Sequence, residues 1–236
     1  MKLDILFEQA ELVAINKPSG LLTIPDRMQS SKSLKEFLQD RYGQIFTVHR
    51  LDKDTSGLVL FAKTEAMHAH LSMQFESRQV QKKYLGLVIG QPLTESGTID
   101  APIMEDQLQK GRMIIHRKGK PSQTNYQVIQ SSPYYSLMEF EPLTGRTHQI
   151  RVHAREIGYP LAVDPLYGDG KPVFLSGIKK KYKLSKAEES ERPMVDRLAL
   201  HAWKLQFNMP DGTAQSLEAP IPKEFRVLMK QIERLT

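Results

Sequence analysis

The chain has 236 residues, 40% hydrophobic and 25% charged, which is long enough to bury a sizeable core and excludes a mostly disordered or fibrous protein. Thirty-three Lys and Arg against 27 Asp and Glu leave a net charge of +6, a balance that favours polyanionic partners such as nucleic acid. With no cysteine, disulfide frameworks, thiolate metal sites and cysteine nucleophiles drop out.

The amino-terminal stretch carries acidic residues inside its apolar run and lacks a signal-peptide core. No later run approaches the roughly 18 apolar residues of a membrane span, so a cytoplasmic address is expected. In chain order, Ile5 to Phe7 and Leu12 to Ile15 read as strands, the second ending in the turn Lys17-Pro18-Ser19-Gly20. Ser33 and Glu36 have capping-box spacing, and Leu34, Phe37 and Leu38 mark one face of a helix that ends near Gly43. Val48 to Asp54 reads as a polar loop. Gly57 to Ala62 is a near-continuous apolar run, the pattern of a strand buried on both faces. Thr64 is the expected N-cap of a helix through Met67, Leu71 and Phe75 to Arg78.

Further strands are expected at Tyr84 to Ile89, Thr98 to Ile103, Thr124 to Ile129 and Tyr135 to Phe140. Thr147 is placed to cap a helix from His148 to Glu156, with Gly158 as its stop. Leu198 to Phe207 alternates again, Pro210-Asp211-Gly212 turns it into Ala214 to Leu217, and Phe225, Leu228, Met229 and Ile232 mark a closing amphipathic helix. Gly177 to Pro193 is dense in charge and reads as an exposed loop, with Lys179-Lys180-Lys181 as solvated surface rather than a phosphate contact. The order of elements predicts an α+β fold built on a mixed, mainly antiparallel sheet flanked by helices and loops, with no Rossmann or Walker glycine pattern.

Two stretches concentrate chemistry. His49-Arg50-Leu51-Asp52-Lys53-Asp54-Thr55-Ser56-Gly57 places two carboxylates, two cations and an imidazole directly before a buried strand. A carboxylate there can serve as nucleophile or general base if a cation holds it ionised, and Asp52 and Asp54 are the candidates. Thr144 to His153 lies at an expected helix start, where free N–H groups favour anions. Both stretches are equally compatible with structural ion pairs. Tyr84 follows Lys82-Lys83, a ring beside two positive charges that suits a stacked base or a core position. His68 and His70 are two apart on an expected helix and face different ways, and no HExxH or similar metal-ligand spacing occurs.

In these residues the sequence resembles the RluA-type family of pseudouridine synthases. Four motifs agree in order: Asn16-Lys17-Pro18-Ser19-Gly20, HRLDKDTSGLVLFAKT from His49, QKKYLGLVIG from Gln81, and GRTHQIRVHAREIGYPL from Gly145, with a weaker match at Leu198 to Ala202. The resemblance spans roughly residues 5 to 222 and implies a single catalytic domain over 1–236, without an S4 RNA-binding domain, metal or organic cofactor. It also implies an RNA partner, ribosomal or transfer. The lack of a long apolar run leads to the expectation of no membrane partner, and monomer is the default for an oligomeric state that the sequence leaves open. Residue by residue, it puts the catalytic aspartate at Asp52, with Asp54 secondary. Arg50 matches the arginine that enters the RNA where the target base has left, and Tyr84 the tyrosine that stacks on the uracil. Arg151 matches the arginine paired with the catalytic aspartate. Arg146 and Lys17 are expected to support the fold or touch backbone. One segment departs from the family's pattern: Val163 stands before Asp164 where a glycine is common. Two rivals remain open at this point, a catalytically silent RNA-binding or ribosome-assembly protein on the same fold, and a hydrolase using Asp52 with His49.

Overall fold

A computed structural model describes residues 2–29, 31–179, 182 and 190–234. Its elements, in chain order, begin with β1 (Ile5–Glu8), β2 (Leu12–Lys17), α1 (Leu34–Tyr42), β3 (Phe46–Thr47), β4 (Ser56–Ala62), α2 (Glu65–Glu76) and β5 (Gln81–Ile89). There follow β6 (Ser96–Asp100), β7 (Ile103–Glu105), β8 (Met113–Ile115), β9 (Gln123–Gln130), β10 (Tyr135–Pro142), α3 (Gln149–Glu156), β11 (Leu200–Asn208), β12 (Ala214–Glu218) and α4 (Lys223–Glu233). The chain forms two compact units, Met1–Tyr84 with His201–Pro220, and Leu85–Leu200 with Ile221–Thr236. Strands β5 and β11 each run from one unit into the other.

In the first unit the strands follow the order β1-β2-β4-β11, with β12 beside β11 and β3 beside β4. The β2–β4 pair is antiparallel, whereas β4 and β11 run parallel through Ser56↔His201 and Gly57↔Ala202. Every residue of β4 is buried, because helices cover both faces of the sheet. Leu12, Ala14, Leu58, Leu60 and Ala62 point to the side packed by Met67 and Leu71 of α2. Their alternates Val13, Ile15, Val59 and Phe61 meet Leu34 and Leu38 of α1. The period of two along each strand therefore serves two cores at once. The capping box at Ser33 and Glu36 forms as expected, and the Thr64 hydroxyl accepts the Met67 N–H to open α2.

In the second unit β5, β10, β9 and β6 are neighbours in that order, while β7 and β8 make a separate two-stranded sheet. The expected strand Thr98 to Ile103 is instead divided into β6 and β7. Pro102 sits at the break and has no N–H to continue a ladder. Ile103 then pairs with Ile115 of β8, a three-residue strand too short to leave a periodic signal. Phe225, Leu228, Met229 and Ile232 are the buried face of α4.

The start of α3 needs a correction. Thr147 does not cap it: His148 occupies the N-cap in a left-handed conformation, φ 55°, without a side-chain cap. Gln149 does the satisfying work instead, its Oε1 accepting the Arg146 N–H at 3.0 Å and the Thr144 hydroxyl at 2.7 Å. In the charged segment Gly177 to Pro193, Ile178 is buried rather than exposed. Lys180, Lys181 and 183–189 lie outside the described residues.

Candidate active site

Asp52 sits in the loop between β3 and β4, half-buried, at the head of a turn closed by the Thr55 N–H donating to the Asp52 carbonyl at 3.2 Å. Leu51 before it is buried among Val59, Phe61 and Ile45, so the loop is anchored into the core one residue from the carboxylate. The remaining backbone is pinned by the segment after β2. The Thr23 hydroxyl donates to the Leu51 carbonyl at 2.8 Å and accepts the Leu51 N–H at 3.2 Å. The Lys53 carbonyl takes the Lys17 ammonium at 2.9 Å and the Gly20 N–H at 3.0 Å. The Ser19 hydroxyl donates to the Asp54 carbonyl at 2.6 Å. Each carbonyl from Leu51 to Asp54 thus has a donor, which fixes the path of the loop and the direction in which Asp52 leaves it.

Lys17 is central to that arrangement. It is 0% exposed, and its ammonium also donates to Pro18 at 3.0 Å and Leu21 at 2.7 Å. The expectation that Lys17 touches backbone is met, and one of these contacts, to Lys53, falls on the loop that carries Asp52. Arg146 likewise donates to a backbone carbonyl, that of Pro121, at 3.3 Å.

His49 has a structural task. Its Nε2 accepts the Leu60 N–H at 3.0 Å, and its ring stacks on Phe75 with centroids 4.7 Å apart. Burial, helped by the charge of Lys82, pushes its pKa down to about 3. A ring held neutral with that nitrogen occupied cannot relay protons near pH 7, which removes the partner that a hydrolase reading required.

Tyr84 lies on β5 and packs against the cluster containing Leu51. Its hydroxyl is driven upward in pKa by burial and then by the negative charge of Asp52. The phenol therefore stays neutral, and Asp52 and Tyr84 share one neighbourhood. Arg50 projects from the same loop as Asp52 and is exposed.

Arg151 stands in the second unit, in the first turn of α3. Its Nε and Nη2 donate to Asp164 Oδ2 at 2.8 Å and Oδ1 at 2.7 Å, a bidentate pair between residues 3% and 0% exposed. Asp164 was not connected with Arg151 by sequence reasoning. The available signal was an acidic residue directly after the apolar run Leu161-Ala162-Val163, since a buried carboxylate needs a cation. Val163 adopts φ 57°, the left-handed conformation that a glycine takes most readily.

The model of the RNA pseudouridylate synthase family matches residues 11–156. The chain is 38% identical over 240 residues to the ribosomal large subunit pseudouridine synthase D of Nitrosomonas europaea, covering 99% of this chain and 66% of that protein. It is 36% identical to the dual-specificity RNA pseudouridine synthase RluA of Vibrio vulnificus, over 88% of this chain and 78% of that protein. Among solved structures, human RNA pseudouridylate synthase domain containing 4 superposes with a TM-score of 0.74 at 29% identity, covering 98% of this chain and 93% of that one. The chain belongs to the RNA pseudouridylate synthase family. Its class is isomerase, and its sheet is the mixed, mostly antiparallel one that the sequence predicts. Among the described residues no helix is long and apolar enough to cross a membrane.

Proposed function

We propose that the chain converts specific uridines of ribosomal RNA to pseudouridine, with Asp52 as the residue that attacks or removes a proton from the flipped nucleotide. The observation that carries this reading is the placement of Asp52 on a loop whose carbonyls are all held, beside the neutral phenol of Tyr84. The resemblance of the chain to a large-subunit ribosomal enzyme at 38% identity supports the choice of RNA. Pseudouridine formation breaks the bond from ribose C1′ to uracil N1, makes one from C1′ to C5, and moves the C5 proton to solvent while N1 gains one. Atoms and electrons balance without a co-reactant, so the reaction calls for positioning, a carboxylate and exclusion of water rather than a metal or organic cofactor.

In this reading Tyr84 stacks on the uracil, an interaction worth about 1–3 kcal/mol per base in single-strand binders. Arg50, exposed beside Asp52, fills the place the base leaves and offsets part of the few kcal/mol that flipping costs. Arg151 takes the part of the arginine that serves the catalytic aspartate. The protein works as a monomer in the cytoplasm, and its positive charge draws RNA phosphates. The binding-only alternative is not favoured, since the relatives are themselves synthases.

The test is to incubate the protein, parental and Asp52→Ala, with unmodified ribosomal RNA and to map carbodiimide adducts by reverse-transcription stops. New stops with the parental protein and none with Asp52→Ala are expected. Stops that persist with the variant would overturn the assignment of Asp52, and modification confined to transfer RNA would overturn the choice of substrate.

A further inference from the structure

The buried partner of Arg151 does more than neutralise it. The Asp164 carboxylate is fixed by its own backbone: Oδ1 accepts the N–H groups of Leu166 at 3.0 Å and Tyr167 at 3.1 Å, apart from any bond to arginine. Against that fixed edge the guanidinium lays two parallel N–H groups, the arrangement that specifies the plane of an arginine most tightly. The ring of Tyr167 then packs on the guanidinium face, with the central carbon 5.0 Å from the ring centroid. Tyr167 is itself held at its far end, its oxygen accepting the Met113 N–H of β8 at 2.8 Å and lying 2.8 Å from His148 Nδ1. Edge and face of the guanidinium are therefore both determined by groups that are buried and locked.

Desolvating one arginine and one carboxylate is costly, and an apolar pair of the same volume is often no less stable. The pair supplies what an apolar pair cannot, a guanidinium whose donors point in a set direction with its charge balanced locally. The geometry points to Asp164 as a positioning residue for the reaction: it orients Arg151, with Tyr167 as the supporting face. This rests on the reading that Arg151 serves the reacting site. Outer partners of metal ligands cost about 10–100-fold in affinity or activity when lost, and the same scale is expected for a group that orients an arginine.

Asp164→Asn keeps the shape of the side chain and removes the charge and one acceptor. With unmodified ribosomal RNA as substrate, the variant is expected to lose about 10–100-fold in kcat with KM within about threefold of parental. In an Arg151→Met background the same substitution should change kcat no further, because the group it positions is gone. A parental kcat in folded Asp164→Asn overturns the proposal, as does a loss that matches only the unfolded fraction read by circular dichroism, or one fully additive with Arg151→Met. If Asp164→Asn does not fold, Tyr167→Phe decides. It keeps the ring under the guanidinium and removes the bonds to Met113 and His148, and unchanged kcat there overturns the proposal. Failure of the underlying reading is distinct: it appears as full activity in Arg151→Met alone or in Asp52→Ala.

Discussion

The ammonium of Lys17, at the end of β2, lies 2.9 Å from the carbonyl of Lys53, one residue after Asp52. A fully buried cation thus ties the first core strand to the loop that carries Asp52. Replacing it in Lys17→Met keeps the stem and leaves the carbonyls of Pro18 and Leu21 without this donor. Charge-assisted hydrogen bonds of this kind contribute about 1.5–3 kcal/mol, so a stability loss of about 2–3 kcal/mol is expected in urea denaturation. Because the loop relaxes, kcat should fall by more than the folded fraction explains. An unchanged urea midpoint would refute the assignment.

Gly57 constrains the start of β4, directly after the same loop. A Cβ there would stand 2.2 Å from the Ala202 carbonyl oxygen, and its φ of +110° is foreign to L side chains. Overpacking and backbone strain each cost about 1–3 kcal/mol, so Gly57→Ala should lose more than about 3 kcal/mol or fail to fold. Gly145, in the motif before α3, has nothing within 4 Å of its would-be Cβ. Gly145→Ala should stay within about 0.5 kcal/mol of parental, and thermal melts of the two variants check the contrast.

His49 makes stability depend on pH. Its pKa falls from an unfolded value near 6.5 to about 3 in the folded protein, through burial and then Lys82. Between those values the unfolded chain binds the extra proton, so the contribution of His49 is fully present above about pH 6.5 and is lost as pH falls toward 3. Burial lowers the pKa of His153 as well, which adds in the same direction. Urea midpoints at pH 7 and pH 5 should therefore drop on acidification, and less so in His49→Gln, which can still accept the Leu60 N–H. An equal slope in both proteins would show that His49 is not the titrating group.

Val163 holds a β-branched side chain at φ 57°, buried to 7% exposure. The strain of that conformation, about 1–2 kcal/mol, is opposed by burial of the isopropyl group. Val163→Gly exchanges one for the other and should lie within about 1 kcal/mol of parental. Val59→Ala, fully buried on a regular strand, should cost about 2 kcal/mol or more by leaving a cavity. Equal losses at the two sites in chemical denaturation would remove the case for strain.

Much was legible in the sequence because it is local. The apolar run at Gly57 to Ala62, the capping box at Ser33 and Glu36 and the amphipathic face of α4 each depend on neighbours a few residues away, and each forms where expected. The ordered motifs point to the family for the same reason, since each is a contiguous string. Tertiary structure decided what depends on distant partners. The Leu60 N–H turned His49 from a candidate acid or base into a strut for β4. Pro102 and the pairing of Ile103 with Ile115 divided one expected strand into two. Lys17 at the Asp52 loop and Asp164 at Arg151 are charges whose roles come from what they touch, 36 residues away in one case and 13 in the other. A buried charge must find a partner, but only the folded chain selects which one.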